Sequence, residues 1–172
     1  MSSSPLRRAL LAVPALALLA LAPAAQAGDH GAERLVVRGD STIVDGPCGP
    51  DGCTLRMSGG AFRGTLGTGA YGGDLTLAVA EGFANGEGGV CAPIRGRITL
   101  GTGPDRLVLA VDGDSCQDGA GPVTAASFTG VATFKVTRGT GRYAKAHGRG
   151  LATFSEDAAD HDRMTLVGRI AR

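Results

Sequence analysis

Cys48, Cys53, Cys91 and Cys116 have the widest chemical range of any residues in this chain, since thiols act as nucleophiles, hold metals or pair as disulfides. No Cys-x-x-Cys and no Cys/His cluster at zinc spacing occurs, which argues against a metal site. Pairing is the remaining chemistry, and four cysteines permit three connectivities. Cys48-Gly-Pro-Asp-Gly-Cys53 reads as a tight turn centred on Pro50, Asp51 and Gly52, bringing its flanking cysteines into bridging range. Residues 101–105 separate two apolar-rich runs and predict a hairpin turning near Gly103 and Pro104. Its register sets Leu100 opposite Leu107 and Ile98 opposite Leu109 on one face. The other face then pairs Arg95 with Asp112 and Cys91 with Cys116. Local geometry thus favours Cys48–Cys53 and Cys91–Cys116, with a Cys48–Cys91 link as the outcome that would overturn the register.

The remaining candidates are weak as catalysts. No Gly-x-Ser-x-Gly elbow accompanies His30, His147 or His161, so a Ser-His-Asp hydrolase is not supported. Residues 156–162 crowd Glu156, Asp157, Asp160, His161 and Asp162 between two predicted strands, where a solvated hairpin loop accounts for them. Residues 112–119 fail as a calcium loop, because Cys116 takes the fifth position and Val123 the twelfth. The Gly-Thr-Gly triplets at 67–69 and 139–141 lack the following Lys-Ser/Thr of a phosphate loop. Tyr71 and Tyr143, the only tyrosines, read as packing residues with a polar tip. With His147 they are the candidate ligand-binding residues. No catalytic residue, cofactor or metal is assigned.

The elements that must position these groups are strands. Arg7 and Arg8, an apolar run over 9–21 and Ala25-Gln26-Ala27 make residues 1–27 an export signal, with cleavage before Gly28. The apolar run is too short to span a bilayer, so no membrane anchor is expected after cleavage. The mature chain then carries 15 basic and 16 acidic residues in scattered positions. That balance argues against nucleic acid as the main partner. Export also puts the cysteines in an oxidising compartment. Residues 28–33 are expected to be flexible, and 34–172 to form one domain. Twenty-nine glycines among Val-, Leu- and Thr-rich runs fit short strands joined by tight turns. Strands are predicted at 34–44, 54–58, 61–66, 74–80, 92–100, 106–112, 123–137, 149–155 and 163–170. Leu75, Leu77 and Val79 share one face, as do Met164, Leu166, Gly168 and Ile170. There is also an internal echo: residues 62–71 match 134–143 at Phe, Thr, Gly, Thr, Gly and Tyr. Both copies predict a strand that ends, a Gly-Thr-Gly turn, and a Tyr that returns over a hydrophobic end.

The second copy continues as Gly139-Thr-Gly-Arg-Tyr143-Ala-Lys-Ala-His-Gly148-Arg-Gly150. This segment resembles the Gly-Thr-Gly-x-aromatic-x-x-Ala-x-Gly-x-Gly stretch of allene oxide cyclase and dirigent-type barrels. It also resembles exported actinobacterial proteins of unknown function. The resemblance implies an eight-stranded antiparallel β-barrel able to hold a small apolar molecule, and it transfers no catalytic residue. A β-sandwich is the alternative fold. The expected function is a secreted, non-enzymatic binding module for a small apolar ligand or an exported protein, monomeric or weakly associating. An isomerase, cyclase or dirigent-like protein acting on an apolar ligand is the alternative.

Overall fold

A computed structural model describes residues 31–86, 88–101, 103–118, 127–157 and 159–172. The predicted signal, residues 28–30 and the start of the strand expected at 123–137 lie outside these. Among these residues are nine strands, most of them alternating apolar and polar side chains. They are β1 (Glu33–Gly49), β2 (Gly52–Gly64), β3 (Gly67–Leu77), β4 (Phe83–Ala84), β5 (Val90–Leu100), β6 (Leu107–Gln117), β7 (Phe128–Gly139), β8 (His147–Glu156) and β9 (His161–Ala171). Neighbours run β3-β2-β1-β9-β8-β7-β6-β5, and β3 pairs with β5 to close the ring. The result is an eight-stranded antiparallel barrel, not a sandwich. The two-residue β4 lies outside the ring on the first residues of β5, covering an edge that β3 does not reach.

The hairpin of β5 and β6 has the register read from its sequence, with Leu100 opposite Leu107, Arg95 opposite Asp112 and Cys91 opposite Cys116. Both predicted disulfides are formed, Cys48–Cys53 and Cys91–Cys116. Chain-entropy arguments give the longer loop about 3.5 kcal/mol and the six-residue loop about 2 kcal/mol. Replacing Cys91 and Cys116 together by Ser is therefore expected to lower the urea midpoint more than replacing Cys48 and Cys53. Equal losses would show that loop length does not set the difference.

Three strand expectations need correction. The segments expected at 54–58 and 61–66 form one strand, β2. It carries a bulge between Met57 and Gly60, where Gly59 takes φ +64°. Residues 67–73, read as a corner, belong to β3, and Val79 begins a short 3-10 turn (Val79–Glu81) with its side chain exposed. The internal echo also divides. In the first copy the chain reverses at Thr65 and Leu66, and Gly67-Thr68-Gly69 pairs with β2. Only in the second does Gly-Thr-Gly end a strand and lead into a 3-10 turn, Gly141–Tyr143.

That second corner closes one end of the barrel. Thr140 Oγ1 donates to Pro104 O at 2.6 Å and accepts from the Arg106 N–H at 3.1 Å. The Arg142 N–H donates to Asp105 Oδ1 at 3.0 Å, so the corner is tied to the β5–β6 turn. Tyr143 is thereby pressed into the barrel end, 3% exposed, with the Arg142 guanidinium 4.9 Å from its ring centre. Below it, Leu35, Val37, Ile98, Leu107, Leu109 and Leu166 fill the interior and are fully buried. No helix among the described residues is long and apolar enough to cross a membrane.

Candidate functional site

At the end opposite Tyr143, polar groups enter the interior. β8 and β9 alternate so that Ala152, Phe154 and Glu156 face inward, as do Asp162, Met164 and Leu166. Glu156 and Asp162 are register partners, which puts two carboxyls side by side at the barrel mouth. Asp162 is 3% exposed, and its Oδ2 accepts from Ser41 Oγ at 3.1 Å and Tyr71 Oη at 3.3 Å. Gly39 and Gly60 make room for the Tyr71 ring, since a Cβ on Gly39 would lie 2.9 Å from Tyr71 Cζ, and one on Gly60 2.7 Å from Cε1. Tyr71 can therefore lie flat against β1 and β2 and reach β9.

Burial dominates the electrostatics of this mouth. It raises the Asp162 pKa to about 6 against the two hydrogen bonds, with Asp40 adding repulsion. It raises Glu156 to about 7, helped by Asp160, Asp162, Asp45 and Asp157. Tyr71 is pushed above its ordinary value, chiefly by burial. No cation among the described residues forms an ion pair with either carboxyl. The cavity beside them is about 20 Å³, bounded by Leu55, Met57, Phe128 and Phe154 among others, and has room for one water. Two carboxyls able to exchange protons near neutral pH are thus present without space for an organic substrate.

The large concavity is on the outer wall. Gly96, Gly148, Gly150 and Gly168 line an open groove of about 1790 Å³ spanning β3 and β5 to β9. Across its floor, and beyond it onto β1, the ladder registers align one outward residue per strand. Arg34 lies opposite Arg169, Arg169 opposite Arg149, and Arg149 opposite Lys135. Ala110 then separates Lys135 from Arg97. All five cations are exposed, and among the described residues none has a carboxylate within 4 Å. Nearby Arg56 and Arg95, by contrast, are paired with Asp74 and Asp112. Like charges directly opposite on a sheet cost roughly 0.2–1 kcal/mol per pair, so three such contacts work against folding. Exposed Val167 and Leu151 form an aliphatic row beside the belt.

The three predicted ligand residues are not brought together. Tyr143 plugs one barrel end, Tyr71 spans the interior toward the other, and His147 is exposed on the outer wall at the rim of the groove. Asp157, Ala159 and Asp160 do lie in the connection between β8 and β9, where Asp157 Oδ1 accepts from the Ala159 N–H and from the N–H of His161 at the start of β9. Glu156 and Asp162 flank that loop and face the core, which the loop reading missed. Comparison of the chain with protein families, with curated proteins and with solved structures yields no match.

Proposed function

We propose that this protein is a non-enzymatic binding module, exported after removal of residues 1–27, that engages its partner on the outer wall of the barrel. One observation carries this reading. The cavity beside the mouth carboxyls is about 20 Å³, whereas the outer groove of about 1790 Å³ is lined by Arg97, Lys135, Arg149 and Arg169, which lack carboxylate partners among the described residues, together with Asp74, Arg95 and Asp112. A small apolar ligand inside the barrel, which the resemblance to allene oxide cyclase and dirigent barrels implies, has less support, because the cavity at the mouth is far smaller than the outer groove. The isomerase or cyclase reading keeps one specific support, the hydrogen-bonded Tyr71–Asp162 pair beside Glu156 at the mouth. It requires that mouth to open by several side chains. Native mass spectrometry of the protein recovered from its culture medium tests both points. The expected mass begins at Gly28, contains two disulfides and carries no small molecule. A stoichiometric apolar ligand would overturn the outer-wall reading in favour of the interior, and a retained leader would overturn export.

A further inference from the structure

The belt of Arg34, Arg169, Arg149, Lys135 and Arg97 follows the ladder across six of the eight barrel strands, from β1 round to β5. Neighbouring strands lie about 4.8 Å apart, so these charges form a row with near-regular spacing and one gap at Ala110. The row bends with the barrel over more than half its girth. A flat anionic membrane would touch only part of such a row, whereas a flexible linear chain can follow it throughout. Base recognition would call for exposed aromatic faces on which to stack. Among the described residues the groove offers for stacking only the His147 imidazole at its rim and the buried Phe134 ring in its lining, and the exposed Phe83 belongs to β4 outside the ring.

From this arrangement we infer that the belt is a binding site for a linear anionic polysaccharide, lying across the strands with its charged groups against the guanidinium and ammonium heads. The inference rests on the outer-wall reading and gives it a ligand class. The two carboxylates that line the groove, Asp74 and Asp112, are paired with Arg56 and Arg95, while Asp114 lies farther along β6 and Glu156, Asp157, Asp160 and Asp162 cluster at the mouth. The near-neutral composition therefore conceals a wall with an excess of cations. Val167 and Leu151, beside the row, offer aliphatic surface to the sugar rings.

Fluorescence anisotropy with labelled polygalacturonate and labelled dextran sulfate tests this, the two probes distinguishing carboxylate from sulfate charge. Neutral dextran and a single-stranded oligonucleotide serve as comparison. The wild-type chain is expected to bind at least one anionic glycan at low ionic strength, more tightly than the oligonucleotide, with affinity falling as salt rises. Lys135→Gln with Arg149→Gln should weaken that binding roughly tenfold or more. Arg63→Gln with Arg106→Gln, exposed cations off the belt, should leave it within about twofold. The belt variant should melt no lower than wild type, because it relieves repulsion, so lost binding will not be lost folding. Equal losses in both variants, no glycan binding at low salt, or tighter binding of the oligonucleotide would each overturn the assignment. In the last case, with the belt variant still defective, the outer-wall reading stands and only the ligand class falls.

Discussion

Acidifying the solution from pH 7.5 to pH 4.5 is expected to stabilise this protein, and Asp162→Asn is expected to remove much of that response. Folding raises the Asp162 pKa to about 6 and the Glu156 pKa to about 7, so the native state holds these protons more tightly than the unfolded chain. Between about pH 4 and pH 7 the native state carries the extra protons, and stability falls as pH rises through that window. Above it, both carboxylates are charged, poorly hydrated and close to each other. For Asp162, which is almost fully buried, the contribution is on the order of 2–3 kcal/mol, equivalent to roughly 5–10 °C in Tm for a domain of this size. Glu156 is less enclosed and adds less. Asparagine keeps an oxygen that Ser41 and Tyr71 can donate to, but it has no charge to desolvate. Thermal melts at pH 4.5, 6.0 and 7.5 should therefore show a shallower slope for Asp162→Asn and a nearly flat one after Glu156→Gln is added. A wild type that melts higher at pH 7.5 than at pH 4.5 would contradict the account. Asp157 does not confuse the reading, because its hydrogen bonds lower its pKa and move its titration further below the window.

Gly168→Val should be among the most damaging single changes in the barrel. Gly168 and Gly150 face each other across β9 and β8, and the Phe134 ring lies over both on the inside. A Cβ on Gly168 would run into the Arg149 carbonyl oxygen, and would sit 2.8 Å from Gly150 Cα and 2.9 Å from Phe134 Cζ. A ring can rotate away, but two backbone obstacles cannot move without breaking the ladder. The expected loss is about 3–5 kcal/mol, enough to leave little folded protein. Val167→Ile, one residue away on the exposed outer face, should change stability by no more than about 0.5 kcal/mol. Adding Phe134→Leu to Gly168→Val should restore only a small part, because the carbonyl conflict persists. Full rescue would show that the ring alone requires the glycine. The same glycines line the outer groove, so close approach of the walls inside and concavity outside have one origin.

Most of the wall was legible in the chain. Alternation located eight of the ring strands at least in part, and the β5–β6 register followed from matching apolar pairs, a charge pair and a cystine. What was missed has a physical reason. Residues 67–73 hold four glycines and one tyrosine among seven positions, so they carry no alternating apolar signal even though they pair on both sides. At the mouth, the period-2 rule contained the answer. Met164, Leu166 and Ile170 face inward, so Asp162 does too, and Phe154 implies the same for Glu156. The density of carboxylates suggested a solvated loop, and that composition signal overrode the parity argument. The cation belt was not legible at all. Its members come from five strands and become neighbours only through ladder registers that no local pattern encodes.

The barrel is asymmetric along its axis. One end is plugged by Tyr143 and fastened to the β5–β6 turn, while the other holds the titrating carboxyls, the Cys48–Cys53 hairpin and the Cys91–Cys116 bridge. The reducible bridges and the carboxyls that lose protons near neutral pH thus share one end, so a reductant and a rise in pH both act on the mouth and not on the tyrosine plug.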